Sequence, residues 1–241
     1  MNRRHLIPLL PLALAGCTGS AAPGLGSPDL LPAQYTDFNA WLNAARAAGT
    51  HLIEKGAARD PARFVQFVAV WAAAMPRFVV REWREIKGAN SKLESALLAT
   101  GGPFVVSAFR MAPGCIQPVH CHPGSGGITV CHEGSLAIKH FDLLPGSMES
   151  SNTGGAAEIA EVSVSHVHSG RFTTFTPSAG NLHQLEAGPE GAVGVDILVQ
   201  WQGTRELTYL RLAQPTVTSE GQVGARHPGA WVGTDIARAY G

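Results

Sequence analysis

His120 and His122 sit one residue apart in Gly114-Cys-Ile-Gln-Pro-Val-His120-Cys-His122-Pro-Gly, and His183 closes the segment Pro177-Ser-Ala-Gly180-Asn-Leu-His183. Residues at i and i+2 of a strand point to one face, so the first two imidazoles can reach a common point. Neutral imidazoles gathered there can share one metal ion at ~2.0–2.1 Å. A Pro/Gly turn feeds a strand whose first inward residue is His183, which offers a third nitrogen from a distant part of the chain.

The two segments together resemble the two motifs of the cupin superfamily. In the first of those motifs a Gly, five residues and His-x-His are followed by a Glu and then a Gly. Gly114, His120, His122 and Gly134 fit that spacing, and the Glu place, counted back from Gly134, is held by Gly127. His183 matches the single His of the second motif. The resemblance therefore implies a metal site of three His without a carboxylate.

A narrower family fits this departure. The run Pro118-Val-His-Cys-His-Pro-Gly, with Gly134 downstream, resembles the thiol dioxygenases that include cysteamine (2-aminoethanethiol) dioxygenase and the plant cysteine oxidases. Gly180-Asn-Leu-His183, Val195-Asp196-Ile-Leu198 and Thr208-Tyr209-Leu-Arg-Leu212 resemble three further segments of that family, in the same order. The resemblance spans roughly residues 101–213. It implies a mainly β fold, a cupin (jelly-roll) barrel, holding Fe(II) on His120, His122 and His183. The substrates it implies are O2 and a small aminothiol or cysteinyl thiol, and the product is a sulfinic acid. It also implies that Asp196 orients the substrate's amino group and that Tyr209 hydrogen-bonds oxygen or sulfur. An acid in an apolar strand can instead belong to a closed polar network, and Tyr209 can be an ordinary core residue. Three neutral ligands leave the ion its full charge, which favours a thiolate over a thiol. His120-Cys121-His122 replaces the family's His-Asp-His, and Leu207 stands where some relatives carry a Cys two residues before the Tyr. These differences leave the metal site intact and the substrate open. A differently metallated cupin enzyme, or a non-catalytic cupin that binds a small ligand, is the alternative.

Other candidates read more plainly. His166 and His168 form a second His-x-His in a Ser/Thr/Val stretch and read as a surface strand face. His132 and His140 read as structural or exposed. Cys131 shares strand parity with Gly127, so it faces inward, either as a redox neighbour of the metal or as a small buried residue. Cys121, between two inward His, should point away from the ion.

The elements that must hold these residues differ on the two sides of Gly101-Gly102-Pro103. Before it, Thr36 or Asp37 can cap a helix bearing Phe38, Trp41, Leu42 and Ala45. Asp60-Pro61 opens a second helix with Phe64, Phe67, Val68, Trp71 and Met75, which Pro76 should end. Ser91-x-x-Glu94 reads as a capping box opening a short helix with Leu93, Leu97 and Leu98. Residues 34–100 are thus expected as a helical segment packed on the barrel, because this apolar face is too large for so short a segment to bury alone. After the glycines come short β-branched and aromatic runs cut by Gly and Pro: 104–109, 128–131, 136–141, 160–167, 171–175, 194–199 and 207–212. Residues 214–241 read as an irregular tail packed through Trp231 and Tyr240.

The first residues read as an address. Arg3 and Arg4 precede a short apolar run, Leu6 to Leu14, and then Leu14-Ala15-Gly16-Cys17. The run is far below the ~20 residues of a membrane span. The arrangement resembles the lipobox of bacterial lipoprotein signal peptides, in which the Cys is lipidated. Residues 1–16 are then the signal peptide, and 17–33, rich in Gly, Ala, Ser and Pro, a flexible tether. Thr18 rather than Asp follows the Cys, so the periplasmic face of the outer membrane is the expected place. Loss of Arg3 and Arg4 leaves 16 basic against 18 acidic residues. With no basic run, nothing favours nucleic acid. Besides Cys17 there remain Cys115, Cys121 and Cys131, enough for one disulfide at most. A monomer is expected.

Overall fold

The computed structural model describes residues 35–54, 60–76, 78–89, 92–102, 104–147, 154–176, 180–200, 207–213 and 224–240. The expected signal peptide, Cys17, the tether and Ser91 lie outside the described residues. Asp37 accepts from the Ala40 amide at 2.8 Å and so caps α1 (Phe38–Glu54). Asp60 precedes α2 (Pro61–Ala73), whose first residue is the proline that needs no amide partner there. This helix stops three residues short of Pro76.

Ten strands follow: β1 (Arg84–Glu85), β2 (Leu93–Ala99), β3 (Phe104–Met111), β4 (Ile116–Cys121), β5 (Ser125–Leu143), β6 (Gly155–His168), β7 (Arg171–Phe175), β8 (Leu182–Gln200), β9 (Thr208–Leu212) and β10 (Arg226–Gly233). A last turn of helix, α3 (Ile236–Ala239), is capped by Asp235.

Two expectations are corrected here. The stretch with Leu93, Leu97 and Leu98 is not a helix but β2, with Leu93 fully buried and Leu97 at 64% exposure. It pairs with β3 over its whole length, and that distant partner outweighs the local capping signal. The tail is not irregular: β10 is paired on both edges, to β6 and β9, with Trp231 buried. The barrel therefore reaches beyond 101–213 at both ends.

The long strands β5 and β8 organise everything else. Each is 19 residues long, and they pair antiparallel from Ser125↔Gln200 to Phe141↔Leu182. Midway the ladder jumps, from Gly134↔Ala192 to Leu136↔Ala187, so extra residues of β8 loop outward there. Gly134 and Gly191 make the crossing possible. Both have positive φ (71° and 80°), and a Cβ on Gly134 would lie 2.0 Å from the Gly191 carbonyl oxygen.

Beyond the jump the two halves of this ribbon join different neighbours. One half continues into β4, β9, β10 and β6, and because β5 pairs back to β8 these six strands close a ring. The other half continues through β3, β2 and β1 on one side and β7 on the other.

Three apolar clusters result. Trp41, Leu42, Val68, Trp71 and Met75 of the helical region pack on Val106, Ile128, Val130, Val195 and Ile197, so the helices cover the outer face of the second sheet. Phe109, Cys131, Leu136, Leu185, Ala192 and Tyr209, drawn from both halves of the ribbon, form a cluster between the sheets. Val119, Phe141, Ile159, Leu182, Leu210 and Trp231, one from each strand of the ring, fill the ring. No helix among the described residues is long and apolar enough to cross a membrane.

Candidate metal centre

His120 lies on β4 directly opposite His183 of β8 on one side and Tyr209 of β9 on the other. His122 follows just beyond β4, on the turn that leads into β5. The strand alternation that sends Val119 and Cys121 into the ring sends His120 the other way, toward the cluster between the sheets. All three His are buried, and one nitrogen from each lies within 4.8 Å of the others. Their rings stand 4.3 Å (His120–His183) and 5.3 Å (His122 to each of the others) apart.

The nitrogens fit a shared cation. His120 places Nδ1 at 2.8 Å from the Pro118 carbonyl oxygen, so Nδ1 carries the proton and Nε2 is left with its lone pair. Among the described residues, His122 Nε2 is buried with no hydrogen-bond partner. Burial lowers the pKa of all three: His120 to about 4, and His122 and His183 well below the ordinary value, where their neighbouring His add to the effect. They are thus neutral at any physiological pH, the form in which an imidazole can bind a metal ion. An unpartnered buried imidazole nitrogen, with a ring nitrogen from each of two further neutral His within 4.8 Å, is what a metal ion would complete.

The wall opposite comes from the other sheet. Phe175, at the end of β7, stacks on His122 (5.4 Å, 20°) and lies 5.1 Å from His183. Phe175 pairs with Gly127, which occupies the place of the cupin Glu. A Cβ at Gly127 would sit 2.4 Å from the Ile197 carbonyl oxygen. The backbone of β8 therefore crowds out a side chain at that position, which leaves the three His as the candidate ligands.

Asp196 lies on the far half of β8, about as many residues past the bend as His183 lies before it. Because the halves fold over one another, it faces the triad's side of the sandwich: its neighbours Val195 and Ile197 point outward to the helices. Thr129 donates to Asp196 Oδ1 at 2.7 Å, and burial raises the carboxyl pKa to about 6. One rung over, Thr173 lies beside Thr129 and bonds His140 Nε2 at 3.1 Å, while His140 Nδ1 donates to the Gly180 carbonyl at 2.9 Å. His140 is 6.0 Å from His183, ring to ring. Tyr209 stands 5.7 Å from His120. Burial pushes its hydroxyl pKa up to about 12, against a hydrogen bond from Gln117, so it stays a donor.

The remaining sequence candidates fall elsewhere. Cys121 is within the ring, 3.3 Å from the Thr208 hydroxyl. Cys131 is buried between the sheets, its thiol pKa pushed up to about 12, and it donates toward the Glu133 and Gly134 carbonyls at the bend. That is a packing role, not a reactive thiolate. Cys115, Cys121 and Cys131 form no disulfide with one another. His166 and His168 are exposed, and His132 and His140 are buried in structural contacts. Sequence reading assigned no role to Phe175, Thr129, Thr173 or Asn181. The one available signal was the position of Asn181 in Gly180-Asn-Leu-His183.

The chain is similar in fold to several solved structures, among them proteins described as cupins. KdgF from Halomonas sp. is 10% identical (TM-score 0.35), covering 49% of this chain and 86% of that one. A cupin superfamily protein from Desulfitobacterium hafniense DCB-2 is 14% identical (TM-score 0.32; 49% and 83% covered). An RmlC-like cupin from Shewanella frigidimarina NCIMB 400 is 16% identical (TM-score 0.34; 49% and 82% covered). No curated protein matches. A family model described as PCO_ADO matches residues 81–231, a span that takes in β1, β2 and β10 as well as the three histidines.

Proposed function

Because this chain belongs to the PCO_ADO family, we propose that it is an iron-dependent thiol dioxygenase acting on a small aminothiol or cysteinyl thiol. The observation that carries the reading is the triad of buried neutral His, one nitrogen of each within 4.8 Å of the others, with a glycine where a carboxylate ligand would stand. Fe(II) on this triad would supply Lewis acidity toward a thiol and electron density toward dioxygen, which Zn would not.

The chain's own groups supply the rest. The Asp196 carboxylate, ionised at neutral pH, is the acceptor for a substrate ammonium, and Thr129 fixes its orientation. Tyr209, beside His120, offers a hydroxyl proton to sulfur or oxygen. Phe175 and the cluster between the sheets exclude bulk water from the site. Both atoms of O2 end on sulfur, RSH becoming RSO2H, with no external reductant.

The test is oxygen uptake by iron-loaded protein with cysteamine, cysteine, 3-mercaptopropionate and a peptide starting with Cys. Uptake should match formation of a sulfinic acid with at least one of these and vanish in His183→Ala. If every thiol remains unoxidised with iron bound, or the native metal is Zn, a binding cupin is the better account. We also propose that Cys17 anchors the protein by lipid to the cell envelope, on the lipobox-like Leu14-Ala15-Gly16-Cys17.

A further inference from the structure

Two of the three triad histidines sit in strand ladders, and the third does not. His120 is held between β8 and β9, and His183 between β4 and β5. His122 lies past the end of β4, on a turn. The register that sets His120 opposite His183 would set His122 opposite Asn181, but β8 begins only at Leu182. No backbone rung is formed at this place.

The side chain of Asn181 supplies the rung instead. Its Oδ1 accepts from the His122 amide at 2.8 Å. Its Nδ2 donates to the His122 carbonyl at 3.0 Å and to the Ser125 carbonyl at 3.2 Å. The amide orientation is set by its partners, one N–H donor on one side and two carbonyls on the other. Both backbone groups of His122 are thereby held by one planar group, and the turn 122–125 is tied at both ends. The other side of the Asn181 turn is tied in its own right, by His140 on the Gly180 carbonyl.

We propose that Asn181 is a positioning residue for the metal centre: it completes the β4–β8 pairing with its side chain and so holds His122 where the ion needs it. This rests on the triad being the metal site. Aspartate at this position has the same size but only acceptors, so it keeps the bond to the His122 amide and sets an oxygen against two carbonyls. Alanine loses all three bonds.

The experiment is Co(II) binding by the purified full chain, read by chelator competition and by the visible absorption spectrum of the bound ion, with apo-protein melting measured alongside. The variants are Asn181→Ala, Asn181→Asp and, as a control, Ser147→Ala. Ser147 makes the same kind of double bond, accepting from the Glu158 amide at 2.8 Å and donating to its carbonyl at 3.1 Å, on the turn between β5 and β6. Both Asn181 variants should bind Co(II) about 10–100-fold more weakly than wild type and with an altered spectrum, as loss of a group that orients a ligand does. Ser147→Ala should lower the apo melting temperature while leaving affinity and spectrum unchanged. Wild-type affinity and spectrum in Asn181→Asp, or an equal loss of affinity in Ser147→Ala, would overturn the proposal. Failure of the wild-type chain itself to bind Co(II) would instead overturn the reading of the triad.

Discussion

Gly127→Ala should damage this protein more than its size suggests. A methyl group there would lie 2.4 Å from the Ile197 carbonyl oxygen and 3.2 Å from the Leu198 Cα. Both atoms are backbone of β8, which is paired to β5 here and held from its other edge by β3. The clash cannot be relieved by a rotamer change; β5 and β8 must separate by more than about 0.6 Å, within the close-packed second sheet whose outer face the helices cover. Overpacking of this kind costs about 1–3 kcal/mol, of which the lower chain entropy of unfolded alanine returns ~0.5–1. The net loss, about 1 kcal/mol at the centre of a range of ~0–2.5, corresponds to roughly 2–4 °C in melting temperature for a chain of this length. Phe175, paired with Gly127 and stacked on His122, should transmit the shift, so metal affinity should fall with stability. Denaturant melts of Gly127→Ala beside Gly102→Ala, where a Cβ meets nothing within 4 Å, give the comparison. If Gly127→Ala melts within ~0.5 kcal/mol of wild type, at unchanged metal affinity, the steric account of the missing carboxylate is wrong.

Asp196 gives a pH signature. Its folded pKa, about 6, is above the ordinary carboxylate value of 3.8, so the folded state holds a proton that the unfolded chain has already released. That contribution is lost as pH rises from about 4 through 6, by an amount on the order of 3 kcal/mol. Apo Asp196→Asn, which still accepts from Thr129, should therefore be more stable than wild type at pH 7.5, with the gain vanishing near pH 4, and should oxidise thiol poorly; superimposable stability profiles would contradict this. The buried Lys139–Glu161 pair inside the ring, 3.8 Å apart, offers another test. Lys139→Met alone should destabilise by about 3–5 kcal/mol by stranding a buried carboxylate, whereas Lys139→Met with Glu161→Leu should recover most of it in a urea melt. Equal melts for the single and double variants would show that the pair is not coupled. Cys17→Ala should move the protein from the membrane to the soluble fraction, and unchanged membrane fractionation would end the lipobox reading.

The residues of the metal centre were legible in the sequence because their geometry is local. His-x-His marks the pair by its spacing, although in the folded chain only His120 is on a strand and His122 lies just past its end, and a Pro/Gly sequence before His183 marks the start of another strand. The absence of a carboxylate was likewise readable from Gly127, although its cause was not: the obstruction is the carbonyl of Ile197, seventy residues away. Where sequence reading went astray, a distant partner decided the outcome. Leu93, Leu97 and Leu98 suit a helix until β3 is there to pair with, after which Leu93 is buried and Leu97 faces out. Residues 226–233 carry no alternating apolar pattern, yet they lie between two strands that offer both ladders. The runs 128–131 and 136–141 read as two strands because Gly134 reads as a turn. In the folded chain it is a bend within one strand, since β8 follows β5 across it. The sequence by itself pointed to the three histidines that gather at the candidate metal centre and to the mainly β character of the second half, because both follow from residue type and short spacing. Only the tertiary structure decided which strands run through their glycines, which side chain fills the gap at His122, and that Phe175 stacks on the histidines, because each of these depends on two sheets folding over one another.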